Sequence, residues 1–272
     1  MEENNKVFWH EAFFEALQLE FHQYHDALIF DNEYQLSKEA LIMDVLVIKK
    51  KPGQQIDKNI GRIFKTHNIF EYKSETDSLT QFDYNKVVAY ALLYSSFNTI
   101  PVSDITVTFA VTAHPRALIK YLRDERGFTV QTFESGIYYI RGDAFPIQVL
   151  ESKLLPQNEN LFLHNLRSNL DADDMTKIFD AYKGIKHVEP KNVYLDRLIQ
   201  ANPIAFEEAM DMSDVALELL LKVSEKRGDW LEKKLDIRAK EKIAKKLLLD
   251  DHPVDYVVAI TELPYEEVAR LA

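Results

Sequence analysis

The sequence predicts a mixed α/β domain followed by an all-helical region. Strand-like apolar runs occur up to residue 150, whereas helical periodicity alone continues after Pro156. The 272 residues include only 7 glycines and 9 prolines, so regular elements should dominate over loops. We therefore predict a domain over 1–155 and a helical domain over 156–272.

The first elements are a helix and a meander of three strands. Apolar residues recur at steps of three and four over 9–25, which indicates an amphipathic helix. Two strand-like runs follow at 28–36 and 41–48, and the second ends in three lysines and a Pro-Gly turn. A third strand is predicted over 62–73.

Helices and strands alternate in the rest of the first domain. Asp83 is a plausible N-cap for a helix, and Pro115 opens another helix that Gly127 ends. The sequence Glu-Ser-Gly at 134–136 indicates a hairpin turn. These signals predict helices at 83–97 and 115–126, and strands at 105–111, 128–133, 137–141 and 147–150.

Beyond Pro156 the periodicity is helical. The segment 230–249 is strongly charged with apolar residues on one side, as expected for a helix that docks on the body or on a second subunit. Acidic residues in the final segments disfavour direct DNA reading, so we predict an interaction role, with a homodimer through the C-terminal helices. The predicted helices are 161–170, 173–182, 193–200, 204–210, 215–226, 230–249, 254–261 and 265–271.

Composition excludes several classes of protein. The absence of cysteine excludes disulfides, zinc ribbons and cysteine nucleophiles. No apolar run approaches the roughly 18 residues of a membrane span, so we expect a soluble, cytoplasmic protein without a membrane partner. The 44 acidic and 33 basic residues give a net charge of −11, which argues against constitutive DNA binding but allows an enzyme with basic groups confined to one groove.

Three residues on two predicted strands have the spacing of a hydrolytic metal site. Asp44 is the only residue of 41–48 that is not apolar, so its desolvated carboxylate needs a partner. Glu71 and Lys73 are two apart on the third strand and therefore share a face. Two carboxylates suit Mg²⁺, and an ammonium beside them could orient a water. The alternative is a structural ion pair, in which Lys73 satisfies Asp44 or Glu71.

The segments 69–74 (IFEYKS), 77–79 (DSL) and 84–94 (YNKVVAYALLY) resemble the PD-(D/E)XK nuclease superfamily, and more narrowly the bacterial recombination-promoting nuclease and putative transposase group. The segment 9–17 (WHEAFFEAL) and the charged C-terminal helix support this resemblance. Met43 precedes Asp44 where the superfamily pattern has proline. The likeness is good in the N-terminal part, loose in the last helices and slight between them.

The resemblance implies a restriction-endonuclease-like αβββαβ core and Mg²⁺-dependent cleavage of DNA, linked to recombination or mobile elements. Asp44 and Glu71 would bind Mg²⁺, for which Mn²⁺ could substitute, and Lys73 would assist the attacking water. Glu15 would be a further acid, with Glu11 and Glu20 as less favoured matches. A solvated helix face is the alternative for Glu15.

Basic and aromatic residues near these strands are candidates for DNA contact. Lys86 and Tyr90 share a helix face and could lean over the phosphate, or Tyr90 could pack while Lys86 is solvated. Lys49, Lys50 and Lys51 could contact phosphates, or could simply form a solvated turn.

Two rival functions stay open. One is an inactive nuclease-like fold that serves as a protein-interaction module, and the other is a metal-dependent hydrolase that acts on something other than DNA.

Overall fold

The computed structural model describes residues 9–31, 46–185, 193–212 and 230–272. It confirms the predicted α/β class. In chain order its helices and strands are α1 (Trp9–Glu20), β1 (Leu28–Asp31), β2 (Leu46–Lys50), β3 (His67–Lys73), α2 (Gln81–Asn98), β4 (Ile105–Val111), α3 (Arg116–Asp124), β5 (Thr129–Glu134), β6 (Ile137–Arg141), β7 (Ile147–Glu151), α4 (Leu161–His164), α5 (Ala172–Gly184), α6 (Val193–Ala201), α7 (Pro203–Met212), α8 (Trp230–Leu249), α9 (Val254–Thr261) and α10 (Tyr265–Leu271).

Several element boundaries differ from the predictions. The first helix ends at Glu20 and is followed by a separate 3-10 turn at His22–Tyr24. The third strand begins at His67 rather than at residue 62, because the chain forms a 3-10 turn at Asn59–Gly61 before it extends. The predicted strand residues 32–36 and 41–45 and the predicted helix 215–226 lie outside the described residues.

The strands form a seven-stranded mixed sheet in the order β1-β2-β3-β4-β7-β6-β5. Its three central strands, β3, β4 and β7, are parallel, and each outer pair is antiparallel. The carboxyl ends of the three parallel strands therefore meet at one edge of the sheet. In open α/β sheets this edge is the usual place for a ligand site.

Helices cover both faces of the sheet. On one face, α2 and α3 pack over the central strands in a continuous apolar core that includes Val87, Leu118 and Phe109. On the other face lies α1, whose Phe13 ring stacks on Tyr72 of β3 with centroids 4.4 Å apart. The helices α4 and α6 pack in turn against α1.

The chain divides into two compact units, residues 1–216 and 217–272. The boundary predicted near Pro156 lies inside the first of them. The second unit contains α8, α9 and α10, which enclose a small core of Ala244, Val257, Leu263 and Val268. No helix in the described ranges combines the length and apolar composition that a membrane crossing requires.

Candidate active site

Strand β3 presents Glu71 and Lys73 to the face that α2 covers. Side chains alternate along a strand, so these two residues point away from Tyr72 and the first helix. Glu71 pairs with Phe109 and Lys73 with Val111 on the parallel neighbour β4. Lys73 is the last residue of its strand, so this pair of residues lies toward the carboxyl edge of the parallel strands.

Four charged side chains meet there, two from β3 and two from the first turns of α2. Lys73 Nζ lies 3.4 Å from Glu71 Oε1 and 2.9 Å from Asp83 Oδ1. Lys86 Nζ also lies 3.4 Å from Glu71 Oε1. We call Glu71, Lys73, Asp83 and Lys86 the β3–α2 cluster. Two lysines therefore converge on a single oxygen of Glu71.

The other oxygen of Glu71 is without a partner among the described residues. The Glu71 side chain is only 4% exposed, and its Oε2 atom is buried and accepts no hydrogen bond. Burial raises the pKa of Glu71, while Lys86 and Lys73 oppose that rise. Because a buried carboxylate oxygen without a partner is costly, Oε2 is the atom of this cluster most in need of a ligand.

The pKa shifts of the neighbouring groups favour a charged Lys73. Burial by itself would lower the pKa of Lys73, but the hydrogen bond to Asp83 and the charge of Glu71 outweigh it and raise the pKa. Burial likewise opposes ionisation of Asp83, yet hydrogen bonds from Lys73 and Thr80 lower its pKa to about 2. Lys73 is therefore held as an ammonium between two carboxylates.

Asp83 belongs to the cluster, whereas the sequence predicts only that it is the N-cap of its helix. The helix N-cap is Thr80, and Asp83 occupies the third helical position, where it completes a capping box with Thr80. The Thr-x-x-Asp spacing is the sequence signal that gives this arrangement. The capping box fixes the Asp83 carboxylate, which in turn holds Lys73.

Asp44, the predicted partner of Glu71 in metal binding, lies outside the described residues. Within the ranges that are described, no group of three or more His, Cys, Asp or Glu residues could hold a metal ion. The cluster itself supplies one carboxylate with a buried, unsatisfied oxygen. That donor fits a hard cation such as Mg²⁺, which binds proteins through one or two acids and keeps several waters.

The structure does not bring Glu15 to this cluster. Glu15 is on α1, which lies on the Tyr72 side of the sheet. Its Oε1 atom accepts a hydrogen bond from the Tyr182 hydroxyl at 3.0 Å, and its Oε2 atom accepts one from the Tyr194 backbone N–H at 2.7 Å. Glu15 is 3% exposed, so the alternative of a solvated helix face is also wrong. Its carboxylate joins α1 to α5 and α6.

Glu20 and Glu11 also have partners outside the β3–α2 cluster. Glu20 is buried, accepts backbone hydrogen bonds from Phe162 and Leu163 at 2.6 and 2.9 Å, and pairs with Lys58 at 2.8 Å. Glu11 is exposed and lies 3.6 Å from Arg197. Neither residue contributes an acid to the β3–α2 cluster.

Lys86 and Tyr90 do share a face of α2, as their spacing predicts. The Lys86 ammonium lies 6.0 Å from the centroid of the Tyr90 ring, which is partly buried against the core. Lys86 is engaged by Glu71 rather than simply solvated, although 38% of its side chain is still exposed. DNA contact by either residue stays a prediction.

The lysines at 49–51 lie at the end of β2 and just after it, beside the amino end of β3. Lys49 pairs with His67, four residues before Glu71, so the two positions are about 13 Å apart along the strand. The Lys49 ammonium pairs with Asp31 at 2.5 Å, and the Lys50 ammonium donates to the Phe64 carbonyl at 3.2 Å. Lys51 is exposed. These residues do not gather around Glu71.

Comparisons of the chain with protein-family models, with curated proteins and with solved structures find no match.

Proposed function

We propose that this protein is a Mg²⁺-dependent DNA endonuclease that hydrolyses phosphodiester bonds with the β3–α2 cluster, as part of a restriction-endonuclease-like core. The observation that carries the proposal is the buried Oε2 atom of Glu71, which none of the described residues hydrogen-bonds while two lysines hold Oε1. A carboxylate that has one oxygen held by lysines and the other without a hydrogen-bond partner is suited to bind a cation.

Glu71 and Asp44 are the residues that would hold the ion, and Mn²⁺ could replace Mg²⁺. When bound, a divalent ion lowers the pKa of a coordinated water and neutralises charge on a phosphate. Lys73, kept protonated by Asp83 and Glu71, would orient the attacking water and stabilise negative charge as it develops on the phosphate. Lys86, which is more exposed, would contact a non-bridging phosphate oxygen.

A plasmid-nicking assay tests the proposal directly. Wild-type protein with Mg²⁺ should convert supercoiled plasmid to the open-circular form, and Lys73→Ala should remove this activity. Lys120→Ala is the matched control, because Lys120 is exposed on α3 and distant in sequence from the cluster. Wild-type protein that fails to nick plasmid in either Mg²⁺ or Mn²⁺, or a fully active Lys73→Ala variant, would contradict the assignment.

The rival function is an inactive nuclease-like fold that binds another protein. Two observations favour it: the lysines already neutralise Glu71, and the chain carries a net charge of −11. Thermal unfolding in increasing Mg²⁺ or Mn²⁺ separates the two functions, because a ligand that binds only the folded state raises the melting temperature. No rise in the wild type, or an equal rise in Glu71→Gln, would favour the rival.

The nature of the substrate needs its own comparison. Plasmid, single-stranded DNA and RNA incubated side by side would show whether the hydrolase prefers duplex DNA. Preference for RNA would replace the DNA assignment but keep the cluster as the active site. The link to recombination or mobile elements, the homodimer through the C-terminal helices and the cytoplasmic location stay predictions.

A further inference from the structure

A second group of polar side chains lies at the same edge of the sheet. His114 follows β4, Glu151 ends β7, and Tyr138 lies on β6. His114 Nδ1 is 3.0 Å from Glu151 Oε2, and the Tyr138 hydroxyl donates to the same oxygen at 3.1 Å. The His114 and Tyr138 rings meet edge to face at 5.1 Å. The carboxylate is thus a fixed acceptor that orients the imidazole.

This arrangement defines what each imidazole nitrogen can do. The contact with a carboxylate assigns the Nδ1 proton to the His114–Glu151 hydrogen bond. Among the described residues, Nε2 has no hydrogen-bond partner, and one third of the His114 side chain is exposed. In its imidazolium form, with the Nδ1–H group held by Glu151, His114 can offer its Nε2 proton to a ligand.

The register of the sheet places this group beside the β3–α2 cluster. Lys73 pairs with Val111, and Val111 pairs with Glu151, so the three residues form one row across the parallel strands. Paired residues project to the same face of a sheet, so Glu151 and Lys73 share a face. With strands about 4.8 Å apart, their Cα atoms are separated by about 10 Å, a span that two side chains can bridge through one phosphate.

We propose that His114 is a catalytic acid of the phosphodiester hydrolysis, donating its Nε2 proton to the oxygen that leaves phosphorus, and that Glu151 positions it. This inference rests on the proposed function. The water oxygen forms a bond to phosphorus, and the bond from phosphorus to the leaving oxygen breaks. The Nε2 proton passes to that oxygen. The water releases its proton to solvent, from which the imidazole recovers its own.

Substrates with different leaving groups test this role. Ordinary DNA is compared with the same DNA carrying sulfur at the scissile bridging position, since a thiolate leaves without protonation. His114→Gln should slow cleavage of ordinary DNA on the order of a hundredfold, because loss of general acid catalysis typically costs that much. The sulfur-bridged substrate should be cleaved by the variant at nearly the wild-type rate. His252→Gln, at an exposed histidine of the second unit, is the matched control.

A second variant separates positioning from folding. Glu151→Gln keeps an oxygen that can accept a hydrogen bond from Nδ1–H but removes the charge. It should therefore slow cleavage of ordinary DNA less than His114→Gln does, and again spare the sulfur-bridged substrate. Equal losses on both substrates, or no loss on ordinary DNA in either variant, would overturn the role of His114 and leave the nuclease assignment standing. Failure of the wild type to cleave any DNA would instead refute the proposed function itself.

Discussion

The two faces of the sheet both bury glutamates, but they use them differently. On the α1 face, Glu15 and Glu20 have hydrogen-bond partners on both carboxylate oxygens, supplied by Tyr182, backbone N–H groups and Lys58. On the α2 face, Glu71 has two lysines on one oxygen and none of the described residues on the other. Similar burial therefore accompanies different hydrogen bonding.

The difference shows how a structural carboxylate can be told from a candidate ligand. Backbone amides and a tyrosine hydroxyl hold a carboxylate in one place and satisfy it, so Glu15 and Glu20 connect α1 to helices that follow the sheet. The two ammonium groups contact one oxygen of Glu71 and leave the other without a partner among the described residues, at a cost in stability that a bound cation would remove. A ligand is therefore expected at a buried carboxylate oxygen that lacks a hydrogen-bond partner among the described residues.

The largest expected effect is the loss of cleavage in Glu71→Gln. Removal of the charge should lower plasmid nicking on the order of a thousandfold, as for other charge-stabilising groups of active sites. The same substitution in Glu15 is the matched control. Glu15→Gln should lower the melting temperature but leave the cleavage rate per folded molecule close to that of the wild type. If Glu15→Gln instead abolishes cleavage without destabilisation, the contrast between the two faces is wrong.

Glu20→Ala should have the largest effect on stability. The substitution leaves Lys58, whose side chain is 12% exposed, without its carboxylate and the Phe162 and Leu163 amides without an acceptor. Breaking such a buried pair typically costs about 3–5 kcal/mol of the free energy of unfolding, which urea denaturation would measure. Glu11→Ala, on the exposed side of the same helix, should cost less than about 0.5 kcal/mol. Similar costs for both variants would show that Glu20 does not anchor the helix.

Asp83→Asn should produce a pH-dependent loss of stability on the α2 face. The Asp83 pKa lies at about 2 in the folded protein, below its ordinary 3.8, so the unfolded chain binds more protons between these values. The stabilisation is complete well above pH 3.8 and disappears as the pH falls toward 2. We expect Asp83→Asn to cost about 1–2 kcal/mol at neutral pH and progressively less on acidification.

Urea unfolding of wild type and variant across that range measures the difference. Asp124→Asn, at an exposed position of α3, is the control and should change the neutral-pH free energy little. A loss in Asp83→Asn that stays constant down to pH 2 would contradict the lowered pKa of Asp83, to which the hydrogen bonds from Lys73 and Thr80 both contribute.

Local patterns predicted the α2 face better than the α1 face. Alternation along β3 places Glu71 and Lys73 together, the step of four places Lys86 beside Tyr90, and the predicted strand 105–111 matches β4. These relations involve neighbouring residues, so sequence periodicity contains them. The Thr80–Asp83 capping box is also a local signal, although the sequence predicts the N-cap at Asp83 and the structure has it at Thr80.

The role of Glu15 could not be read from local sequence. Its partners Tyr182 and Tyr194 lie 167 and 179 residues further along the chain, and only the packing of α5 and α6 brings them to α1. A glutamate on an amphipathic helix has the same periodicity whether it faces water, a metal or a distant hydroxyl. The meeting of His114 with Glu151 depends in the same way on the parallel pairing of β4 and β7.

The smallest expected effects distinguish the two ends of β3 as DNA contacts. Lys51→Ala removes an exposed charge at the hairpin end, so it should reduce the slope of log affinity against log salt by about 0.9 if that end touches a phosphate. The rate at saturating DNA should not change, because Lys51 is remote from Glu71. Lys86→Ala should reduce the same slope and also the saturated rate, since Lys86 contacts Glu71 at 3.4 Å. An unchanged slope in Lys51→Ala would confine the DNA to the carboxyl edge of the parallel strands, where Lys73 and His114 lie.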